Sequence, residues 1–303
     1  MSWLVFSITG TLLSAMVNFV DKYLVEKHLK DARVMVIYSA IASAFLGTVL
    51  FVITGMHVPS VNVLFQLFLA GIFVISATFV YFNVISRDHV SFVVLFFQVL
   101  PIFVLVEGFL ILGDRLSPSQ LLGSILIIAS TSALVWTDHS DSSFAWRVSK
   151  RSILSMLVFD TLWALSILCI KLASTQVSFV QILTYQHIGV ALGGMVIFCF
   201  AKPIRSAFIT SLRSLPRPVL ATIFCNEGIL LVAAKTCLDY AYTIGMIGLV
   251  SLVDSMQILF VVIIGFLLTR MAPTIFKENT QPRFVFRKIV YILFMIVGVT
   301  MIV

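Results

Sequence analysis

Charge is scarce in this sequence. Asp, Glu, Lys and Arg together make up 11% of its 303 residues, where a soluble domain carries about a quarter. So little polar surface cannot clothe a water-facing globule, which excludes a soluble fold and leaves lipid to cover much of the chain. The signatures of enzyme chemistry are missing as well. There is no HExxH, no GxSxG, no phosphate-binding GxxxxGK[ST] and no Cys/His cluster, so neither an enzyme nor a cofactor or metal is expected. An intramembrane hydrolase would need paired acids, and only Asp160 with Asp254 or Glu227 could be recruited. The four cysteines (Cys169, Cys199, Cys225, Cys237) fall inside apolar runs without metal or redox spacing and read as buried small hydrophobes. A basic leader is lacking too: Ser2 and Trp3 run straight into apolar sequence, so no cleavable signal is expected.

What is present is apolar sequence in long blocks: 60% of the residues are hydrophobic and the mean hydropathy is +1.12. A membrane helix needs about 20 such residues. Ten runs qualify, at 3–21, 34–55, 63–85, 90–112, 118–136, 152–172, 178–201, 219–243, 247–269 and 286–303. The fold class expected is an all-α membrane protein of ten transmembrane helices. Short loops join them and leave no room for a soluble domain.

The net charge of +7 is organised by topology rather than by affinity for nucleic acid, which is not expected as a partner. Connections after odd-numbered runs hold Lys22, Lys27, Lys30, Arg33, Arg87, Arg147, Lys150, Arg151, Lys202, Arg205, Arg213, Arg217, Arg270, Lys277, Arg283, Arg287 and Lys288. Connections after even-numbered runs hold only Arg115 and Lys171, and Lys235 lies within a run. Seventeen against two is a strong positive-inside bias. It places the odd loops in the cytoplasm and both termini on the other side of a cell membrane, with a bacterial inner membrane expected.

The chain also echoes itself. GFLILGDRLSP at 108–118 returns as GFLLTRMAP at 265–273, keeping Gly108/Gly265, Arg115/Arg270 and Pro118/Pro273 in order. Gln98 is matched by Gln257 and Tyr81 by Tyr240. Five spans per half is an odd number, so the second copy must sit upside down relative to the first. Such inverted repeats supply two access states around one central site. The expected division is 1–137 and 151–303, joined by a cytoplasmic linker at 138–150.

The run Gln98 to Ala129 (QVLPIFVLVEGFLILGDRLSPSQLLGSILIIA) resembles the signature of the EamA family of the drug/metabolite transporter superfamily. Pro101, Asp114-Arg115-Leu116, Gln120 and Gly123 fill the places of its Pro-centred fourth span, acidic turn and fifth-span start. It departs from the pattern at Asp114, which replaces Glu, and at Ala129 or Ser130, which replace Gly. The second-half turn Thr269-Arg270-Met271 lacks the acid. The resemblance implies a basket of ten helices, with the first four of each half around a cavity and the fifth at the periphery. It implies transport of a small molecule and names no substrate.

Ionisable groups at membrane depth cost at least about 2.5–3.5 kcal/mol each on insertion scales, so each needs a reason. Asp160 stands near the middle of the sixth run, one turn before Trp163, and aligns with Thr11 of the first run. It resembles the coupling carboxylate of the small multidrug resistance relatives, and a desolvated carboxylate there can exchange a proton against substrate. The other reading is structural glue. Lys235 and Asp239, one turn apart, are expected to form a structural ion pair. Glu227, beside Asn226, shares their broad face as a cavity or packing group.

Asp254 and Gln257 are one turn apart in the ninth run, and Gln98 and Gln257 read either as midplane hydrogen-bonding groups or as packing bonds. Glu107 can join Gln98 in a cavity only if Pro101 bends the fourth span. His187 sits on a stripe with Thr184, Ala191 and Gly194 beside Gly189 and Gly193, as a core group or a proton relay. Tyr81, Tyr240, Phe96, Phe97 and Trp163 are candidate pocket aromatics.

The function expected is secondary active transport, export or exchange, of a small polar metabolite such as an amino acid or amine, coupled to protons. The partners are the lipid bilayer, the small-molecule substrate and protons, in a monomer or homodimer. Two other readings are a translocator of a lipid or lipid-linked head group, and a non-transporting membrane receptor or assembly factor.

Overall fold

A computed structural model describes residues 2–55, 57–85, 97–138, 150–271 and 282–303. Every regular element among them is helical, as lipid demands: a segment inside hydrocarbon must satisfy its backbone internally. Helix α1 spans Ser2–Lys27, α2 Met35–Ile53 and α3 Val61–Ile85. Helix α4 runs over Leu100–Glu107 and widens into a π turn at Gly108–Leu112. Helix α5 is Pro118–Asp138, α6 Lys150–Ala173, α7 Phe179–Phe200 and α8 Lys202–Ser214. Helix α9, Arg217–Ile244, contains a π turn at Asn226–Leu230. Helices α10 (Ile247–Ser255) and α11 (Gln257–Met271) follow, then α12 (Pro282–Ile302).

Among the described residues, seven segments are long and apolar enough to cross a membrane: α1, Ala32–Ile53, Val61–Val84, α6, α7, α9 and Ile247–Leu267. Leu100–Leu112 and Pro118–Leu134 are shorter apolar helices.

Several sequence expectations change. The first span does not stop at residue 21 but continues six residues, because Lys22 and Lys27 propagate a helix well and cations suit its C-terminal end. Of the fourth run, 90–96 lies outside the described residues, and helix α4 begins only at Leu100. Pro101 occupies the first turn of this helix, where its missing N–H leaves no bond unmade. The ninth run is two helices parted at Met256, so Asp254 and Gln257 flank a break rather than share a continuous turn. Residues 202–214, a basic connection between two apolar runs, form α8 rather than an irregular loop. Its Ile204 and Phe208 are buried against α2, α7 and α9 residues, and Tyr38 Oη meets Ser211 Oγ at 2.9 Å. Cys199 and Cys225 are exposed on helix surfaces rather than buried, and Cys169 and Cys237 are half-buried; all four are free.

Close contacts between helices use small residues, because in lipid packing and interhelical bonds replace the hydrophobic drive. A Cβ on Gly71 of α3 would stand 2.1 Å from the Gln186 carbonyl of α7, and one on Gly189 would stand 2.6 Å from the Phe68 carbonyl. Gly123 of α5 and Gly298 of α12 approach in the same way. Helix α3 packs on α6 and α7, α1 on α9, α2 on α7, α4 on α6 and α10, α1 on α10, and α5 on α12.

Candidate functional site

Two groups of polar side chains lie along the seam between α1 and α9. The first centres on Lys235. Its Nζ is 3.6 Å from Asp239 Oδ1 in the expected ion pair and 4.7 Å from the centre of the Trp163 ring on α6. A cation held over an aromatic face and beside a carboxylate is fixed from two sides. Lys235 is also an electrostatic neighbour of Asp254 and of His187. Thr11 on α1 donates to Asp254 Oδ1 at 3.3 Å and to the Ser7 carbonyl at 2.7 Å. The group thus draws on α1, α6, α7, α9 and α10.

Its polar atoms are incompletely matched. Hydrogen-bond partners are lacking for Gln186 Oε1 and His187 Nε2, whereas Asp239 has the Gln186 side chain beside it and Tyr242 has Ser251. Buried polar atoms are normally paired, and each exception asks for an explanation. His187 is anchored through Nδ1, 3.2 Å from Ser43 Oγ on α2, which leaves Nε2 free.

Asp160 lies one turn from Trp163 and is completely buried, with neither carboxylate oxygen hydrogen-bonded. Its sequence neighbour Phe159 belongs to a chain of rings, 5.6 Å from Trp163 and 6.0 Å from Tyr81, and Tyr81 stacks on Phe97 at 5.6 Å. Thr11, with which Asp160 aligns in the sequence, serves Asp254 instead. Phe96 lies outside the described residues.

The second group is only partly legible in the sequence. Asn226 Nδ2 donates to Asp21 Oδ1 at 2.7 Å and to Glu227 Oε1 at 3.3 Å, and the Ser39 hydroxyl of α2 donates to Glu227 Oε2. The π turn at 226–230 inserts extra backbone and presents Asn226 and Glu227 together; both are buried. Asp21 does not stand out in the sequence because it ends the apolar run beside Lys22. The absence of any helix-stop residue before Lys27 is the available signal.

Other candidates stand apart. Tyr240 packs between Phe6 and Phe179, at 4.7 and 5.0 Å, away from the Lys235 group. Gln98 is buried with Oε1 unpartnered, and no hydrogen bond joins it to Gln257. Glu107 is half-buried on α4, an electrostatic neighbour of Cys169 on α6. Among the described residues no three His, Cys, Asp or Glu side chains converge as metal ligands.

The signature residues turn out to be architectural. Ser117 and Gln120 cap α5 reciprocally, at 3.2 and 3.0 Å. Gly113 adopts φ +73° so that the Asp114 N–H can close on the Gly108 carbonyl at 3.0 Å. Burial pushes the Asp114 carboxyl up, and Lys171 opposes this. Lys171 in turn donates to the Thr243 and Gly245 carbonyls at 3.0 and 2.8 Å, closing the C-terminal end of α9.

Comparison with known proteins adds three findings. The EamA-like transporter family model matches residues 1–136. No curated protein matches the sequence. A solved structure, described only as the crystal structure of a protein, superposes with a TM-score of 0.67 at 14% identity, over 99% of this chain and 96% of that one, and shows the same fold.

Proposed function

We propose that this chain, which belongs through residues 1–136 to the EamA-like transporter family, is a proton-coupled secondary transporter of a small polar metabolite, an amino acid or amine, working by export or exchange. The observation that carries this reading is Asp160: wholly buried, halfway along α6, with both oxygens unbonded. A carboxylate in that setting cannot stay charged and unpaired at reasonable cost, so it exchanges a proton for a cationic partner. The Lys235–Asp239–Asp254 group, linked to α6 through Trp163 one turn from Asp160, offers both signs of charge, which suits a substrate carrying an amine with or without a carboxylate.

The packing pattern supports an inverted five-plus-five repeat in ten spans. Exchanging α1 with α6, α2 with α7, α3 with α9, α4 with α10–α11 and α5 with α12 turns the α3–α6 contact into α9–α1, and α4–α6 into α10–α1. The pairs α2–α7, α4–α10 and α5–α12 map onto themselves. In this reading the halves are 1–137 and 151–303.

Two observations support the orientation. Basic α8 packs against the 32–34 turn, which gathers the Lys- and Arg-rich connections at one end. Lys171, Asp114 and the 243–245 carbonyls gather at another. The basic end faces the cytoplasm and both termini face away, in a bacterial inner membrane.

The test is uptake and efflux of a metabolite panel by proteoliposomes under an imposed pH gradient. The wild type moves at least one amine-bearing metabolite in a gradient-dependent way. Asp160→Asn elutes as folded protein and loses at least tenfold of the gradient-driven flux. Normal flux in that variant would remove Asp160 from coupling.

A further inference from the structure

The Asp21–Asn226–Glu227 group lies about 15 Å along α1 from Thr11, taken as ten residues of helical rise. It is separate from the Lys235 group. Two carboxylates meet on one amide nitrogen, and among the described residues neither has a cationic partner within ion-pair distance. Each is the other's electrostatic neighbour, an arrangement that repels in a low dielectric unless a positive charge joins it. An independent feature points the same way. Asn226, 3% exposed, commits its nitrogen to the acids and leaves Oδ1 buried without a partner, an extra acceptor in a site already rich in them.

The surroundings select the kind of cation. Glu227 already receives Asn226 and Ser39, so few oxygens remain for the six or more that a hard metal ion takes. Instead, one side of the group is aromatic. Tyr81 is an electrostatic neighbour of Asp21, and from it the rings of Phe97, Phe159 and Trp163 follow at 5.4–5.6 Å spacings towards Lys235. Carboxylates beside ring faces recognise ammonium groups that carry apolar substituents. Asp21 is half-buried rather than sealed, which gives such a ligand a way in.

We propose that Asp21 and Glu227 form a binding site for an organic ammonium ion, its charged head between the two carboxylates and its apolar body on the Tyr81–Phe97–Phe159–Trp163 wall. The site rests on the transporter reading and deepens it, as the station where a cationic substrate docks at the basic end before reaching Asp160 and Lys235.

The probe is benzyltrimethylammonium, permanently charged, with neopentylbenzene as its neutral isostere, titrated calorimetrically into the full chain in nanodiscs. The wild type binds the cation saturably and the isostere at least tenfold more weakly. Asp21→Asn and Glu227→Gln each weaken cation binding at least tenfold, and Glu227→Asp stays within about threefold of wild type, which separates charge from folding. Tyr81→Leu, with both acids in place, weakens binding about fivefold. Equal affinity for cation and isostere, or unchanged affinity in both neutralised variants, overturns the site. Gradient-driven metabolite transport is scored separately. A wild type that transports but ignores the cation removes this site alone, whereas one that binds the cation as described without transporting removes the transporter reading and keeps the site.

Discussion

Single side chains in this protein divide into those that hold helix ends and those left unmatched inside the bundle. Asp31 belongs to the first kind. It accepts from the Arg33 backbone N–H at 3.0 Å and takes the Arg33 guanidinium in a fork at 2.7–3.2 Å, starting the turn that leads into α2. Arg33 holds the Asp31 carboxyl below the usual carboxylate range. Because the folded-state value is the lower one, the stabilisation is complete above the ordinary Asp value of about 3.9 and fades as the pH falls below it. Asp31→Ala should therefore cost about 1 kcal/mol at neutral pH. In detergent unfolding, the gap from wild type should close as the pH drops below about 4. A gap that widens in acid would contradict the capping role. Asp160 belongs to the second kind, and its isolation among apolar residues is legible in the sequence. The partnership of Asp21 with Glu227 is not, because 205 residues separate Asp21 from Asn226 and only the fold brings them together.

At the scale of elements, long apolar runs announce themselves while breaks within them do not. The π turns at Gly108–Leu112 and Asn226–Leu230 and the parting at Met256 carry no proline and no turn motif, since they are set by neighbouring helices rather than by local propensity. Helix α8 is hard to read because its amphipathic pattern spans only 13 residues between two apolar runs. The glycine contacts are better signposted: the Gly189–Gly193 stripe lies against α3, where Ile75 faces Gly193. Gly71→Ala should cost about 1–3 kcal/mol, because its new Cβ would meet α7 backbone that cannot rotate away. Gly228→Ala, whose Cβ would find only Ala42 at 3.9 Å, should cost nothing when both variants are compared by thermal unfolding. Equal losses would contradict the α3–α7 approach as the cause, since Ala propagates a helix better than Gly and propensity alone would stabilise both variants.

For the whole molecule, the proposed orientation rests on the distribution of basic residues among the loops, and α8 packs against the 32–34 turn at the basic end. A reporter active only in the cytoplasm should be silent when fused after Val303 and active when inserted between α7 and α9. The reverse result would invert the topology. The proposed inverted repeat rests on matched Gln, Arg and Pro positions, and the polar groups do not follow it: Thr11 stands where such symmetry would put an acid opposite Asp160, and Lys235 has no basic mate in α3. In the proposed repeat, symmetry would build the frame and departures from it the site.

In the proposed mechanism proton exchange at Asp160 is the coupling step, and it can be watched directly. The metabolite found by the transport panel is added to the purified chain in weakly buffered detergent solution while the pH is recorded. About one proton per site should leave the wild type on saturation, and none should leave Asp160→Asn at equal occupancy. Equal proton release from both proteins would contradict Asp160 as the coupling group.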